Sequence, residues 1–221
     1  LRKSFEVALH AGTAVALLIA LRHEVAEVLR ELDGARLLRH ALTFLPPGAA
    51  AFALERPIEE RLGSPRGVAR AQVVAGLVLL AADRAPASRS HDEASARDAL
   101  LIGCAQACAL APGVSRNGAT LTAARLLRFE RGAANVLSRH AALPIILAAA
   151  GLKGLRLARR GLPSELAVPF AAGACASFAS TLLSSRLVGV VDRARSYAPF
   201  ALYRVGLGAI SLMRLNGSHG R

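Results

Sequence analysis

The feature that most constrains this chain is a polar, helix-breaking insert, Ala109-Leu-Ala-Pro-Gly-Val-Ser-Arg-Asn-Gly-Ala-Thr120, set inside an otherwise apolar run. Leu100 to Leu110 before it and Ala119 to Leu127 after it read as helices. Each is about ten residues long, half of the roughly 20 apolar residues needed to cross a bilayer core. Neither half spans alone. Pro112 lacks the N–H that a continuous helix needs, and Gly113 and Gly118 admit turns closed to other residues. The chain is therefore expected to break here and fold back as a re-entrant helical hairpin. Non-helical backbone at membrane depth is tolerated only where protein buries it or where it lines a wet cavity, so a break of this kind points to a site. Ser115, Arg116, Asn117 and Thr120 stand at it. Arg116 is a permanent cation with a planar fork of donors, and the second half-helix starts beside it with free N–H groups and a positive dipole end. That is the chemistry of an anion pocket, above all for phosphate. In a soluble protein the same run would read as a surface turn with a helix cap at Ser115 or Asn117.

The surroundings decide between the two. With 53% hydrophobic residues and a mean hydropathy of +0.40, the apolar content is high for a soluble protein. It is concentrated in blocks at Phe5–Leu21, Leu37–Leu54, Val68–Ala82, Ala133–Leu157, Leu166–Val191 and Pro199–Leu212. These lengths predict an all-α polytopic membrane protein with about six transmembrane helices plus the re-entrant pair. The abundant Ala and Gly suit close helix packing in a bilayer.

A formal net charge of +13 invites a nucleic-acid reading. A binder would gather its Arg on one face or arm. Here Arg22, Arg30, Arg36 and Arg39, then Arg56, Arg61, Arg66 and Arg70, then Arg156, Arg159 and Arg160 punctuate the ends of apolar blocks, as membrane-flanking anchors do. No nucleic-acid partner is expected. Cys104 and Cys108 lie four apart without a CxxC pair or a His at zinc spacing, so they and Cys175 read as small packing residues, with no disulfide.

The chain opens on Leu1 without an initiator Met or a signal peptide, and the expectation is that it is cut at its front. Glu6 and His10, one helical turn apart, read as reaching interfacial water. Arg22 to His40 carries Glu24, Glu27, Glu31 and Asp33 and reads as a solvated helical loop. Pro46-Pro47 is expected to kink or break the second block. Glu55 and Glu59 form a Glu-x-x-x-Glu pair, but Pro57 between them and Arg56 and Arg61 alongside favour a salt-bridge cluster in a loop over a cation site. Arg84 to Asp98 is the most polar stretch and marks a linker at 84–98, dividing a single membrane domain into 1–83 and 99–221.

Gln106, Ala109-Leu110, Pro112-Gly113-Val114-Ser115-Arg116 and Gly118-Ala119-Thr120 together resemble the second signature motif of the bacterial undecaprenyl-diphosphatase family, the bacitracin-resistance type of lipid phosphatase. Weaker likenesses keep the family's order: Phe5-Glu6-Val7 with Gly12, Ile58-Glu59 with Ser64-Pro65, Leu143-Pro144, and Tyr203-Arg204. The resemblance implies an inner-membrane hydrolase that removes one phosphate from undecaprenyl diphosphate and so recycles the lipid carrier of cell-wall synthesis. It further implies an inverted-repeat fold in which two re-entrant hairpins meet near mid-membrane, and a divalent cation (Mg or Ca) at the diphosphate; bilayer lipids surround such a protein, and whether it forms a homodimer is left open by the sequence. Carried over by position, Arg116 would clamp the diphosphate with Gly113, Ser115, Asn117 and Gly118 around it. Ser115 and Thr120 would donate hydrogen bonds or assist attack, with Ser115 or water as the nucleophile.

Departures accompany the likeness. The family's first motif, a Glu-rich helix with a Ser-containing turn and a His, would lie ahead of Phe5, and no residue here takes its role as metal ligand. Asn117 replaces the usual Ser, Asn135 stands where a Glu is common, and Ser138-Arg139-His140 replaces an aromatic-containing stretch. The alternative these departures leave open is a relative that binds or moves a polyprenyl phosphate without hydrolysing it.

Overall fold

The structure, a computed structural model, describes residues 2–160, 167–192 and 195–217. Helices α1 (Arg2–Ala20), α2 (Arg22–Arg30), α3 (Gly34–Leu62), α4 (Pro65–Asp83), α5 (Ala96–Cys108), α6 (Arg116–Leu126), α7 (Arg131–Arg160), α8 (Ala167–Asp192) and α9 (Ala198–Gly217) follow one another, with one 3₁₀ turn at His91–Glu93. There is no strand among the described residues. Small polar residues start the helices by accepting amide hydrogens that the first turn leaves free. Ser64 caps α4 ahead of Pro65, Ser95 and Asp98 form a capping box on α5, and Ser115 caps α6. Asp33 does the same for α3 through the amide of Arg36.

The six apolar blocks correspond to α1, α3, α4, α7, α8 and α9. Among the described residues, Gly34–Leu54, Pro65–Asp83 and Ala167–Ser185 are long and apolar enough to cross a membrane. The helices α1, α7 and α9 match the other blocks in length, at 19, 30 and 20 residues. Large apolar side chains such as Phe52, Val168, Leu183 and Met213 face outward, while the buried core is mostly Ala, with Tyr197, Phe129 and Ile102 among them. Such an arrangement suits lipid surroundings better than water.

The chain divides into two compact units. The smaller holds 1–32 and 142–193, and its main packing is α1 on α8. A Cβ at Gly12 would run into the Ala174 carbonyl, and beside that contact Thr13 and Ser177 hydroxyls pair at 2.6 Å. The larger unit holds 33–141 and 194–221 and packs α3 on α5, α5 on α6, and α4 on both α6 and α9. Its buried stripe on α5 is Ala99, Ile102, Gly103 and Gln106, at helical spacing.

Three expectations change. Pro46, Pro47 and Pro57 sit inside α3, which is helical throughout 34–62, so neither a break nor a loop at 55–60 forms. Pro47 leaves the carbonyl of Thr43 without its usual amide four residues on, and Gln106 Nε2 of α5 supplies a donor at 3.2 Å. Cys104, Cys108 and Cys175 are free but exposed, so Ala and Gly, not Cys, fill the helix seams. The side chains of Glu6, His10, Glu55 and Glu59, and the residue Leu1, lie outside the described residues. The connector carrying Glu24 and Glu27 is the helix α2, which buries nothing.

Candidate functional site

The broken pair is α5 and α6, packed on each other and joined by Ala109–Ser115. Two sets of contacts fix it, one at the base and one at the tip. At the base, Arg89 places a bidentate fork on Asp98, at 3.2 and 2.7 Å, and stacks 4.2 Å over the Phe129 ring. Burial alone would push the Asp98 carboxyl up. The Arg89 fork and the Ser95 hydrogen bonds outweigh burial and hold it below the ordinary carboxylate range. Arg125, on the last turn of α6, donates to the carbonyls of Phe129, Asp83 and Ala85. The Asp83 carboxylate takes Arg131 Nε at 2.7 Å, Ser196 Oγ at 2.6 Å and the Tyr197 amide at 2.9 Å. The ends of α4 and α6 and the starts of α7 and α9 are thus tied into one polar knot.

At the tip, Gly113 has φ +95°, and a Cβ there would run into the Val68 carbonyl, so no other residue fits the turn. Its own carbonyl accepts from Arg204 Nη2 of α9 at 2.7 Å. The turn is therefore clamped between α4 and α9. Ser115 follows as the N-cap of α6, its Oγ accepting from the Gly118 amide at 3.2 Å. That leaves the first-turn amides of Arg116 and Asn117 with no partner inside the helix.

Arg116 is half-buried, and its Nη1 is buried without a hydrogen-bond partner. Asn117 is exposed beside it. Thr120, 1% exposed, points the other way. Its hydroxyl lies 2.6 Å from Ser138 Oγ and 3.1 and 3.0 Å from the carbonyls of Arg116 and Asn117. Ser138 in turn donates to Asn117 Oδ1 at 2.6 Å. Thr120 and Ser138 thus hold the first turn of α6 against α7, and the approachable groups are Ser115, Arg116 and Asn117.

The six residues singled out in the motif are therefore gathered at one helix N-terminus. Ser138 was not among them. Its signal is faint: a hydroxyl on the buried stripe Ala134, Ser138, Ala141 of α7, otherwise apolar. Gln106 and Arg204 belong to the resembling segments, but the carbonyls they hold cannot be read from sequence.

A divalent cation finds little here. The turn offers a guanidinium, hydroxyls and an amide, and among the described residues no group of three or more His, Cys, Asp or Glu gathers. These residues do not fit the expected metal.

A broken helix pair with a half-buried arginine at a helix N-terminus, set among membrane-length helices, defines the class: a polytopic membrane protein. The particular family follows from comparison. The family described as "Bacitracin resistance protein BacA" matches residues 1–210, and the chain belongs to it. Among curated relatives, an "Undecaprenyl-diphosphatase" of Trichlorobacter lovleyi is 35% identical over 226 residues, covering 95% of this chain and 83% of the relative. One of Geobacter sulfurreducens is 37% identical, covering 96% and 84%. An "Undecaprenyl-diphosphatase 2" of Stutzerimonas stutzeri is 34% identical, covering 97% and 84%.

Proposed function

We propose that this protein hydrolyses undecaprenyl diphosphate in the bacterial inner membrane, releasing phosphate and leaving undecaprenyl monophosphate for another round of cell-wall lipid carriage. The observation that carries the reading is Arg116 Nη1, buried and unpartnered at the N-terminus of α6. An arginine at the bilayer centre is unfavourable by about 2.5–3.5 kcal/mol on insertion scales unless an anion or a wet cavity compensates. A diphosphate supplies that compensation, and the relatives' shared name supports the choice of anion.

In the reaction, water adds to the terminal phosphorus, the bond from that phosphorus to the bridging oxygen breaks, and the protons of the water pass to phosphate oxygens and solvent. The bridging oxygen stays with the prenyl monophosphate. Negative charge grows on that oxygen and on the oxygens of the departing phosphate. The Arg116 fork and the two free amides of α6 meet that charge, and because they are fixed before the substrate arrives, little reorganisation is needed. Ser115 holds the amides in place through its cap and keeps its proton available to a phosphate oxygen. Asn117, steadied by Ser138, donates from its amide nitrogen. Thr120 acts behind them as a positioning residue.

The experiment is phosphate release from undecaprenyl diphosphate by the purified full-length protein in detergent, with the monophosphate identified by mass. Stoichiometric phosphate and monophosphate support the reading. Tight binding of the diphosphate with no turnover contradicts it and would leave a carrier-binding protein.

A further inference from the structure

We infer that the seam between α4 and α6 is a groove for the isoprenoid chain of the substrate, and that its width sets the preference for long chains. The inference rests on the proposed activity and adds the place where the tail lies.

A cavity of about 960 Å³ runs along this seam. It exists because the two facing helices carry small residues where they approach: Ala71 and Ala75 on α4, and Gly118, Ala119 and Ala123 on α6. Larger side chains, Val74 and Val78 on one wall and Leu126 on the other, form its rims and are 45–60% exposed. Apolar walls with an apolar rim suit a hydrocarbon chain, and no charged residue lines this part.

The two ends of the groove differ. One end is basic: Arg61, Arg66 and Arg70 line it, next to the start of α4. The same end holds Val114 and Gly118 of the motif, and the close approach of Gly113 to the Val68 carbonyl brings the turn to this level of α4. The other end, at Val78 and Leu126, is wholly apolar. At 1.5 Å per residue, the run from Arg66 to Val78 is about 18 Å long. A ligand matching this polarity has an anionic head at the turn and a long apolar tail directed along α4. A prenyl diphosphate whose head lies by Val114 and Gly118, facing Arg61, Arg66 and Arg70, has that form; Arg116 stands between these two motif residues in the chain, outside the lining itself. A detached phosphate would leave the apolar length unused.

The test compares kcat/KM of the full-length protein for undecaprenyl diphosphate and for dimethylallyl diphosphate, whose single isoprene unit ends well short of Ala75. Ala75→Leu narrows it from α4. Thr122→Leu does so from α6 and keeps the test alive should the first variant fail to fold. We expect the long-to-short ratio of kcat/KM to fall about tenfold or more, the size typical of a steric mismatch of one or two methylenes in an apolar pocket. A ratio unchanged in a folded variant that still turns over both substrates overturns the groove and leaves the activity standing. A preference restored by added glycerophospholipid, instead of by substrate chain length, assigns the groove to bulk lipid and also overturns the inference. If the wild-type protein releases phosphate from neither substrate, the activity fails and the groove fails with it.

Discussion

Ser138→Ala should damage turnover while sparing the fold. Ser138 Oγ is 2.6 Å from both Thr120 Oγ1 and Asn117 Oδ1 and only 4% exposed as a residue. Serine and alanine differ little in volume, so the change removes two hydrogen bonds and opens no cavity of consequence. Side-chain hydrogen bonds are worth about 1 kcal/mol net in soluble proteins and about 0.6 between membrane helices, which makes the pair about 1.2–2 kcal/mol. Thr120 still reaches the carbonyls of Arg116 and Asn117, so it is not orphaned. The loss therefore falls on Asn117, whose exposed amide is freed from α7. If that freedom is expressed in the transition state, kcat drops roughly 8- to 30-fold. The assay is phosphate release from undecaprenyl diphosphate, with the thermal midpoint in detergent read alongside. Ser138→Thr keeps the hydroxyl and should recover most of the rate. Turnover of Ser138→Ala indistinguishable from wild type, or equal damage in Ser138→Thr, would refute the role assigned to the Asn117–Ser138–Thr120 chain.

Other expectations follow from the clamps on the hairpin. Arg204→Met removes the charged hydrogen bond to Gly113, worth about 1.5–3 kcal/mol, and should lower kcat by up to about 13- to 160-fold with insertion intact, as judged by turnover and membrane fractionation. Gly103→Val puts a side chain into the backbone of Leu42 and Thr43 on α3, and the overpacking should destabilise the larger unit by about 1–3 kcal/mol or more, visible as a lower thermal midpoint. Asp98 is held below its ordinary pKa, so its contribution is fully present above the unfolded value of about 3.9 and is lost as pH falls through the lower folded one. Thermal stability of the wild type should therefore drop on acidification in a step that Asp98→Asn lacks, the variant being less stable than wild type at neutral pH.

The parts legible from sequence are those written in local chemistry. The apolar blocks run out at charged residues, Asp83 after the third, Asp192 after the fifth and Arg214 just past the last, which is why α4, α8 and α9 are readable to within a few residues. The hairpin is readable because Pro112 and Gly113 forbid a continuous helix between two half-length runs. What escapes is whatever depends on a partner far along the chain. Pro46 and Pro47 look like a break because local rules deny them their hydrogen bonds; α3 nevertheless runs on, and the Thr43 carbonyl that Pro47 frees is taken up by Gln106, 63 residues away. Ser138 is an ordinary serine in an apolar helix until α6 is laid against it. The tie from Arg204 to Gly113 spans 91 residues and carries no local signature. Thr120 shows the same limit from the other side: the motif puts it among the candidate site residues, but the direction of its hydroxyl is set by α7.

The measurement that bears most directly on the central claim is turnover and diphosphate affinity of Arg116→Ala in the full-length protein, with membrane insertion and thermal midpoint as controls. If the buried guanidinium clamps the diphosphate, phosphate release should fall at least about a hundredfold, in line with the loss of a preorganised charge-stabilising donor, and affinity should fall with it while insertion and midpoint hold. Near-normal turnover would remove Arg116 from the reaction and with it the reason for placing the site at this turn.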